Sequence, residues 1–450
     1  MTDIQNNAGR GRRRGHATRA ATKIPYMVKS SIIDTLKAKE KGKILAYTFV
    51  YCCYDEIIRA MDIIPIWTEN YSGVCGAKRD AERFLSRAES LGFSRSLCTY
   101  ALCGIGFDQW REELGTMPQD APWGGQMKPD LMLSSGQVIC DPRYKWYQAV
   151  QQYMPDVPIY TVDLPWPVYE DDLDLPSVES YYIEYLKEEL HGLVKFLEKH
   201  TGRKMNWDKL SELVDLTERT WNLIWETYEL RRTVPTPMDT GDAMNTMVPI
   251  LYMMGTQEGY DFFLELNKEL KEKIKRKEGV ISNEKFRLLW GGGLPPWFAL
   301  GDFNYFNSKG AVFPVEVTYR VIEPINDLNI PNTNGPVERI AWRWLRYWTY
   351  WYKKAKSRPG SEPDVERLIQ YIEDYRIDGV VVHLASSCRT AHLSLIWQLS
   401  QLKKIYKQIP CLFLESDMID IKQYSKLHTR NMIDAFIEIL ESNKEKRGNC

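Results

Sequence analysis

The sequence predicts an α/β protein with two doubly wound parallel-sheet domains and a helical insertion between them. Short apolar runs alternate with helical segments through residue 176, which is typical of a parallel sheet covered by helices. Long amphipathic helices then replace the alternation, and it returns near residue 283. A chain of 450 residues is also too long for one ordinary core. The predicted boundaries are a basic tail at 1–24, an N-terminal α/β domain at 25–176, a helical segment at 177–282 and a C-terminal α/β domain at 283–450.

The first domain contains four strand-like runs. A helical pattern ending at Gly42 precedes them. The runs are short, apolar and rich in β-branched or aromatic residues, namely "KILAYTFVY", "IIPIWTEN", "PDLMLSS" and "VPIYTVDLP". The helical segments between them include "DEIIRAMD", "DAERFLSRAESLG" and "PRYKWYQAVQQYM".

The helical segment and the second domain are predicted from the same kinds of apolar pattern. Three long segments have apolar stripes at three- and four-residue spacing, beginning at "SYYIEYL", "NWDKLSEL" and "GYDFFLEL". Strand-like runs then return at "KFRLLWGGG", "GAVFPVEVT", "IDGVVVHLASS" and "PCLFLES". A second parallel sheet is therefore expected in the last third of the chain.

Composition excludes several classes of protein. The apolar fraction of 44% and the charged fraction of 26% are those of a soluble globular protein. A formal net charge of −1 gives no reason to expect nucleic acid or an anionic membrane as partner. No apolar run is long enough for a spanning helix, and no secretory signal is present. Nine cysteines in such a chain indicate a reducing compartment, so we expect a cytoplasmic location.

The tail is basic and lacks acidic residues between Ala8 and Lys23. A disordered arm or a partner-docking tail is the favoured interpretation, and a nucleic-acid tail is the alternative.

Three cysteines occupy positions where doubly wound folds gather functional residues, beyond the carboxyl ends of the strands. Cys140 stands between a strand and a helix of the first domain, and Cys388 has the same place in the second. Cys98 lies in a turn just before "ALCGIG". We expect the three to converge in the interdomain cleft, where thiolates suit iron–sulfur ligation.

Two alternatives remain open at this point. One is that each cysteine is an ordinary buried side chain, and the other is a tetrahedral zinc site, which accepts thiolates as well. No paired C-x-x-C motif is present to favour zinc. The other cysteines are predicted to be structural: Cys52, Cys53, Cys75, Cys103, Cys411 and Cys450.

The chain resembles the benzoyl-CoA reductase/2-hydroxyacyl-CoA dehydratase family over nearly its whole length after the tail. The markers are "AESLGFSRSLCTYALCGIG", "PDLMLSSGQVICDPRYKWYQ", "TPMDTGDAM", "EKFRLLWGGGLPPW", "DGVVVHLASSCRTAHLSL" and "CLFLESDMID". The resemblance implies that Cys98, Cys140 and Cys388 hold a [4Fe–4S] cluster. Within this family, the chain is most similar to the larger cluster-bearing subunit of an ATP-dependent benzoyl-CoA reductase.

The resemblance also implies partners and chemistry. The expected partners are a related smaller cluster-bearing subunit, an ATP-hydrolysing iron–sulfur activator and an acyl-CoA substrate, with no nucleic acid and no membrane. ATP is used by the activator rather than by this chain. Single electrons at low potential would dearomatise benzoyl-CoA through a ketyl radical. The alternatives are a subunit of an (R)-2-hydroxyacyl-CoA dehydratase and a non-catalytic electron-relay or scaffold subunit.

Glu69 is the candidate for proton transfer, because radical steps of this kind need a nearby acid or base. It lies in "WTEN", which matches a Pro-Glu-Asn of the family except that Thr68 stands where proline is common. The alternative for Glu69 is a capping or hydrogen-bonding carboxylate.

Overall fold

The computed structural model describes residues 18–50, 52–136, 140–165, 175–318, 323–356, 362–407 and 409–448. In these residues the chain forms two four-stranded parallel sheets, each covered by helices. The α/β prediction with two parallel-sheet domains is therefore confirmed.

The first sheet has the strand order β2-β1-β3-β4. Its strands are β1 (Leu45–Thr48), β2 (Ile64–Trp67), β3 (Leu131–Gly136) and β4 (Ile159–Asp163). The chain passes from β1 to one side for β2 and to the other side for β3, so the topological switch point lies between β1 and β3. The helices of this part are α1 (Ile24–Glu40), α2 (Asp55–Ala60), α3 (Thr68–Ala77), α4 (Ala81–Ser90), α5 (Thr99–Leu114) and α6 (Asp141–Gln151).

Four helices follow, α7 (Pro176–Thr201), α8 (Trp207–Leu230), α9 (Thr240–Tyr252) and α10 (Gln257–Lys275). The apolar stripe of α7 packs into the core of the first sheet, and that of α10 packs into the core of the second. Helix α8 does both, since Leu210 and Val214 join the first core while Trp221 and Ile224 join the second. These helices therefore connect the two sheets.

The second sheet has the order β6-β5-β7-β8, with its switch point between β5 and β7. Its strands are β5 (Phe286–Trp290), β6 (Ala311–Glu316), β7 (Gly379–Ala385) and β8 (Cys411–Ser416). Strand β7 is buried along its whole length, as expected for a central strand covered on both faces. The helices here are α11 (Asp302–Ser308), α12 (Pro336–Ala355), α13 (Pro363–Asp374), α14 (Arg389–Ile405) and α15 (Lys426–Gly448).

The end of the predicted tail is docked onto the helical segment, whereas residues 1–17 lie outside the described residues. The backbone N–H of Thr18 donates to Asp242 Oδ2 at 2.8 Å, and that of Arg19 donates to Glu269 Oε1 at 2.7 Å.

In the described part of the chain, every helix is too short or too polar to cross a membrane.

Candidate cysteine site between the two sheets

Three cysteines begin three helices at the edges of the sheets. Cys98 is the N-cap of α5, Cys140 is the N-cap of α6 after β3, and Cys388 is the N-cap of α14 after β7. All three side chains are half-buried, whereas Cys75 and Cys103 are fully buried. The three predicted positions thus differ in exposure from the buried core cysteines, although Cys411 outside the site is half-buried as well.

Contacts between neighbouring residues show that the three thiols lie close together, since Thr99 Oγ1 lies 3.1 Å from Ser387 Oγ and Arg389 forms an ion pair with Asp141. Burial raises the pKa of Cys98 well above that of a free thiol, the Cys140 and Cys388 thiols raise it further, and the backbone N–H of Ala101 opposes this rise. Burial likewise raises the pKa of Cys140 to about 11, while the guanidinium of Arg143 opposes it. Cysteines from both domains are therefore neighbours in the folded chain.

The donor set fits an iron–sulfur cluster. Thiolates are the usual ligands of such clusters. Three helix N-termini meet here, and their partial positive charge and free N–H groups stabilise an anionic, thiolate-bound group. Among the described residues, no three His, Cys, Asp or Glu side chains are arranged to hold a single metal ion. The fit rests on the thiolate donors and on the helix N-termini around them.

Asp417 links the segments that carry Cys98 and Cys388. It is fully buried directly after β8, and its Oδ1 accepts a 2.8 Å hydrogen bond from Thr99 Oγ1. Its Oδ2 accepts a hydrogen bond from Ser387 Oγ, and two backbone N–H groups of its own loop donate to Oδ1 at 2.9 Å. Because Thr99 follows Cys98 and Ser387 precedes Cys388, one carboxylate fixes the relative position of two cysteines from different domains.

Glu69 lies in the first turn of α3 and forms a buried ion pair with Arg143. Arg143 donates from Nε to Glu69 Oε1 at 3.1 Å and from Nη2 to Oε2 at 2.7 Å. The backbone N–H of Val50 also donates to Oε2, at 3.1 Å. Both Glu69 and Arg143 act electrostatically on the Cys140 thiol. The structure therefore places Glu69 beside the cysteine site, with its carboxylate held by Arg143 and by the backbone of Val50.

Sequence reasoning missed Arg143 and Asp417. Arg143 stands three residues after Cys140 in "CDPRYKWY", a position that faces back toward the start of α6. Asp417 stands in "FLESDMID", directly after a strand of the second sheet. The position of Asp417 follows from the rule about strand ends that pointed to the cysteines, whereas Arg143 lies in the first turn of the helix that Cys140 begins.

The other cysteines lie in several different places. Cys103 is 1% exposed inside α5, and Cys75 is buried in α3. Cys52 follows β1 and its Sγ lies 3.1 Å from Ser135 Oγ near the end of β3. Cys450 lies outside the described residues.

Several known proteins are similar to this chain over most of its length. A family model described as 2-hydroxyglutaryl-CoA dehydratase, D-component, matches residues 51–440. The chain is 23% identical to lactoyl-CoA dehydratase subunit alpha of Anaerotignum propionicum, covering 91% of this chain and 94% of the relative. It is 22% identical to the (R)-phenyllactyl-CoA dehydratase alpha subunit of Clostridium sporogenes, covering 91% and 93%. It is 24% identical to a subunit of the benzoyl-CoA reductase of Thauera aromatica, covering 90% and 91%.

The family match spans most of the chain, including all three cysteines of the site. The resemblance found in the sequence is therefore confirmed, and the chain belongs to the family described as 2-hydroxyglutaryl-CoA dehydratase, D-component.

Proposed function

We propose that this chain is the [4Fe–4S]-bearing subunit of an enzyme that acts on an acyl-CoA thioester with single low-potential electrons. The observation that carries the proposal is the meeting of Cys98, Cys140 and Cys388 at three helix N-termini contributed by both domains. When bound, a [4Fe–4S] cluster would supply single electrons at a potential set by its net charge, its hydrogen bonds and its solvent exposure.

The surrounding residues are suited to hold such a group. The three cysteines would be its ligands, and Arg143 offsets part of the negative charge of the thiolates. Asp417 positions two of the ligand segments through Thr99 and Ser387. Glu69 is proposed to move a proton at its Oε1, where only Arg143 Nε donates among the described residues.

The proposed partners are a related smaller subunit and an ATP-hydrolysing iron–sulfur activator. The support for a second subunit is that the relatives are each named as one subunit of an enzyme. ATP would be used by the activator, since the glycine-rich turn "WGGGLPPW" lacks the spacing of a nucleotide-binding loop.

Dearomatisation of benzoyl-CoA is the reaction that we propose first, in line with the benzoyl-CoA reductase relative. Dehydration of an (R)-2-hydroxyacyl-CoA is the second candidate. It is favoured by the two dehydratase alpha subunits, which are similar to this chain to nearly the same degree.

The test is anaerobic purification of the chain with its co-purifying subunit, followed by iron and sulfide analysis and electron paramagnetic resonance after reduction. The preparation is then incubated with activator, ATP and either benzoyl-CoA or a 2-hydroxyacyl-CoA. Iron with turnover of one thioester supports the proposal and selects the reaction. Iron without turnover of either thioester supports the relay or scaffold alternative, and absence of iron overturns the cluster assignment.

Replacing Asp417 with asparagine is expected to reduce iron retention about tenfold, because residues that orient metal ligands typically contribute a factor of that size or more. The amide cannot accept at both ends, so Thr99 or Ser387 loses its partner. Iron per chain is measured after dialysis against a chelator. Asp302→Asn is the matched control, since Asp302 accepts hydrogen bonds from Tyr424 and not from a residue next to a site cysteine. Equal retention in both variants would show that Asp417 has no positioning role.

Replacing Glu69 with glutamine is expected to lower kcat by about 10²- to 10⁴-fold, the usual contribution of a general acid or base. Iron content should stay at the level of the parent, because Glu69 is not a proposed ligand. The measurement is turnover with activator and ATP, beside the exposed control Glu445→Gln. If the Glu69→Gln variant keeps the kcat of the parent but has a lower melting temperature, Glu69 has a hydrogen-bonding role and no role in proton transfer.

A further inference from the structure

A cavity of about 80 Å³ lies between α2, α8, α9 and α12. Its apolar wall is formed mainly by Trp221, Ile250, Leu251 and Trp344. Met254 and Tyr347 are the half-buried residues at its margin. This volume is several times the roughly 10–15 Å³ that one water molecule needs by the same measure, so the cavity has room for a small ring.

Four residues that line this cavity carry buried polar atoms without a hydrogen-bond partner in the described structure. They are Asp55 Oδ1, Thr217 Oγ1, Arg343 Nη1 and Trp344 Nε1, on residues that are 2% to 8% exposed. Arg343 Nη1 is also 3.9 Å from Glu218 Oε1, which is too far for a hydrogen bond. Buried polar groups are normally satisfied, so four such groups around one cavity are placed to bind a polar ligand.

The charges around the cavity are already balanced. Arg343 Nη2 donates to Glu56 Oε1 in an ion pair whose side chains are 9% and 2% exposed. Burial raises the pKa of Asp55 well above its ordinary value, and Glu56 raises it further, although Arg59 and Arg343 oppose the rise. Among the described residues, no unpaired cation in this space would neutralise a ligand carboxylate. Burying such a carboxylate here would therefore cost free energy. An uncharged ligand fits better.

The cavity adjoins the cysteine site through Cys52, which is one of its lining residues. The Cys52 thiol contacts Ser135 near the end of β3, the strand that precedes Cys140. Burial raises the pKa of Cys52 to about 11, and the nearby Arg143 opposes this rise. Arg143 lies close to Cys52, because Arg143 Nη2 donates to Val50 O at 2.8 Å and Cys52 Sγ lies 3.8 Å from the same oxygen. It also lies in the first turn of α6, the helix that Cys140 begins.

We propose that this cavity holds the acyl part of the thioester and selects an uncharged, ring-sized acyl group that carries a hydroxyl or carbonyl oxygen at its far end. This inference rests on the proposed function, because it assigns the cavity to a CoA thioester. Trp344 Nε1 and Arg343 Nη1 would donate to that oxygen, and Thr217 Oγ1 would accept from a hydroxyl. The aromatic wall would cover the body of the acyl group.

The experiment measures binding by calorimetry on the anaerobically purified complex, without activator or ATP. Two matched pairs of probes are used, benzoyl-CoA with 4-hydroxybenzoyl-CoA, and phenyllactyl-CoA with its 4-hydroxyphenyl analogue. The test variants are Thr217→Val and Trp344→Phe, each of which removes one polar atom and keeps an apolar side chain in place. Thr220→Val is the matched control, because Thr220 lies one turn away on α8 and bonds to Leu216 O instead.

In at least one pair, the parent protein is expected to bind the hydroxylated probe at least about fivefold more tightly than the probe without the hydroxyl. Thr217→Val and Trp344→Phe should reduce that preference to below about twofold, and Thr220→Val should keep it. Equal affinities within both pairs, no binding of any probe, or a preference that survives in both test variants would overturn the inference. Iron analysis of the same preparations separates the two proposals, since a preference in an iron-free protein supports the cavity and refutes the cluster.

Discussion

Replacing any one of Cys98, Cys140 or Cys388 with serine is expected to remove most of the iron from this subunit and to abolish turnover. The hydroxyl of serine keeps the size of the side chain but is a poor ligand for iron compared with a thiolate. A group held by three ligands from two domains loses one third of its protein ligands in each variant. Iron and sulfide per chain, together with the paramagnetic resonance spectrum of the reduced protein, measure the effect.

The matched control is Cys411→Ser. Cys411 is half-buried like the three site cysteines, but it lies at the start of β8, and its Sγ contacts the carbonyl of Ile409. This variant should keep the iron content of the parent. Iron that persists in all three site variants would contradict the ligand assignment, and loss of iron in Cys411→Ser as well would point to general instability instead.

Replacing Arg231 with methionine is expected to lower the free energy of unfolding by about 3–5 kcal/mol, because it leaves the buried Glu316 carboxylate without its partner. Arg231 lies just after α8, and Glu316 ends β6; their side chains are 1% and 2% exposed. The two are joined by hydrogen bonds of 2.9 Å and 2.6 Å. Urea unfolding followed by fluorescence measures the change. The matched control is Arg276→Met, which breaks an exposed pair with Glu278 and should change stability by at most about 1 kcal/mol.

The same pair makes stability depend on pH. Burial alone would raise the pKa of Glu316, but the charge of Arg231 and hydrogen bonds from Arg231, Thr240 and Tyr228 lower it below its ordinary value. A lowered pKa contributes stability at pH values above the pKa of the unfolded chain, and this contribution is lost as the pH falls through the folded pKa. The stability difference between parent and Arg231→Met should therefore shrink in acid. A difference that stays constant down to acid pH would contradict this account.

All eight strands of the described residues could be predicted from sequence, because a buried parallel strand is a short apolar run whatever its neighbours are. Helix α5 is harder to predict, since Gly104 and Gly106 resemble helix breakers. In the fold they serve close packing. A Cβ on Gly104 would lie 2.2 Å from the Trp146 ring, and one on Gly106 would lie 2.0 Å from the Phe84 carbonyl oxygen. Such contacts depend on the tertiary arrangement and leave no local signal.

The same difference between local sequence signals and tertiary contacts applies to the candidate site. Cys140 and Cys388 could be placed because both follow strands, which is a local property. The contact of Asp417 with Thr99 spans the two domains, and the pairing of Glu69 with Arg143 joins α3 to α6. No periodicity in the sequence reports which distant polar groups will meet, so these partners required the structure.

The matching strand orders of the two sheets have a consequence for the ancestry of the site. Each sheet places its first strand second in order, and each places a cysteine at the N-terminus of the helix that follows its third strand. Duplication of one ancestral unit would generate this arrangement, with two thiols inherited in equivalent places. Cys98 has no such counterpart, because no cysteine occurs between β6 and β7. On this view two of the three thiols are copies of one ancestral residue, and the third was an addition made in one half only.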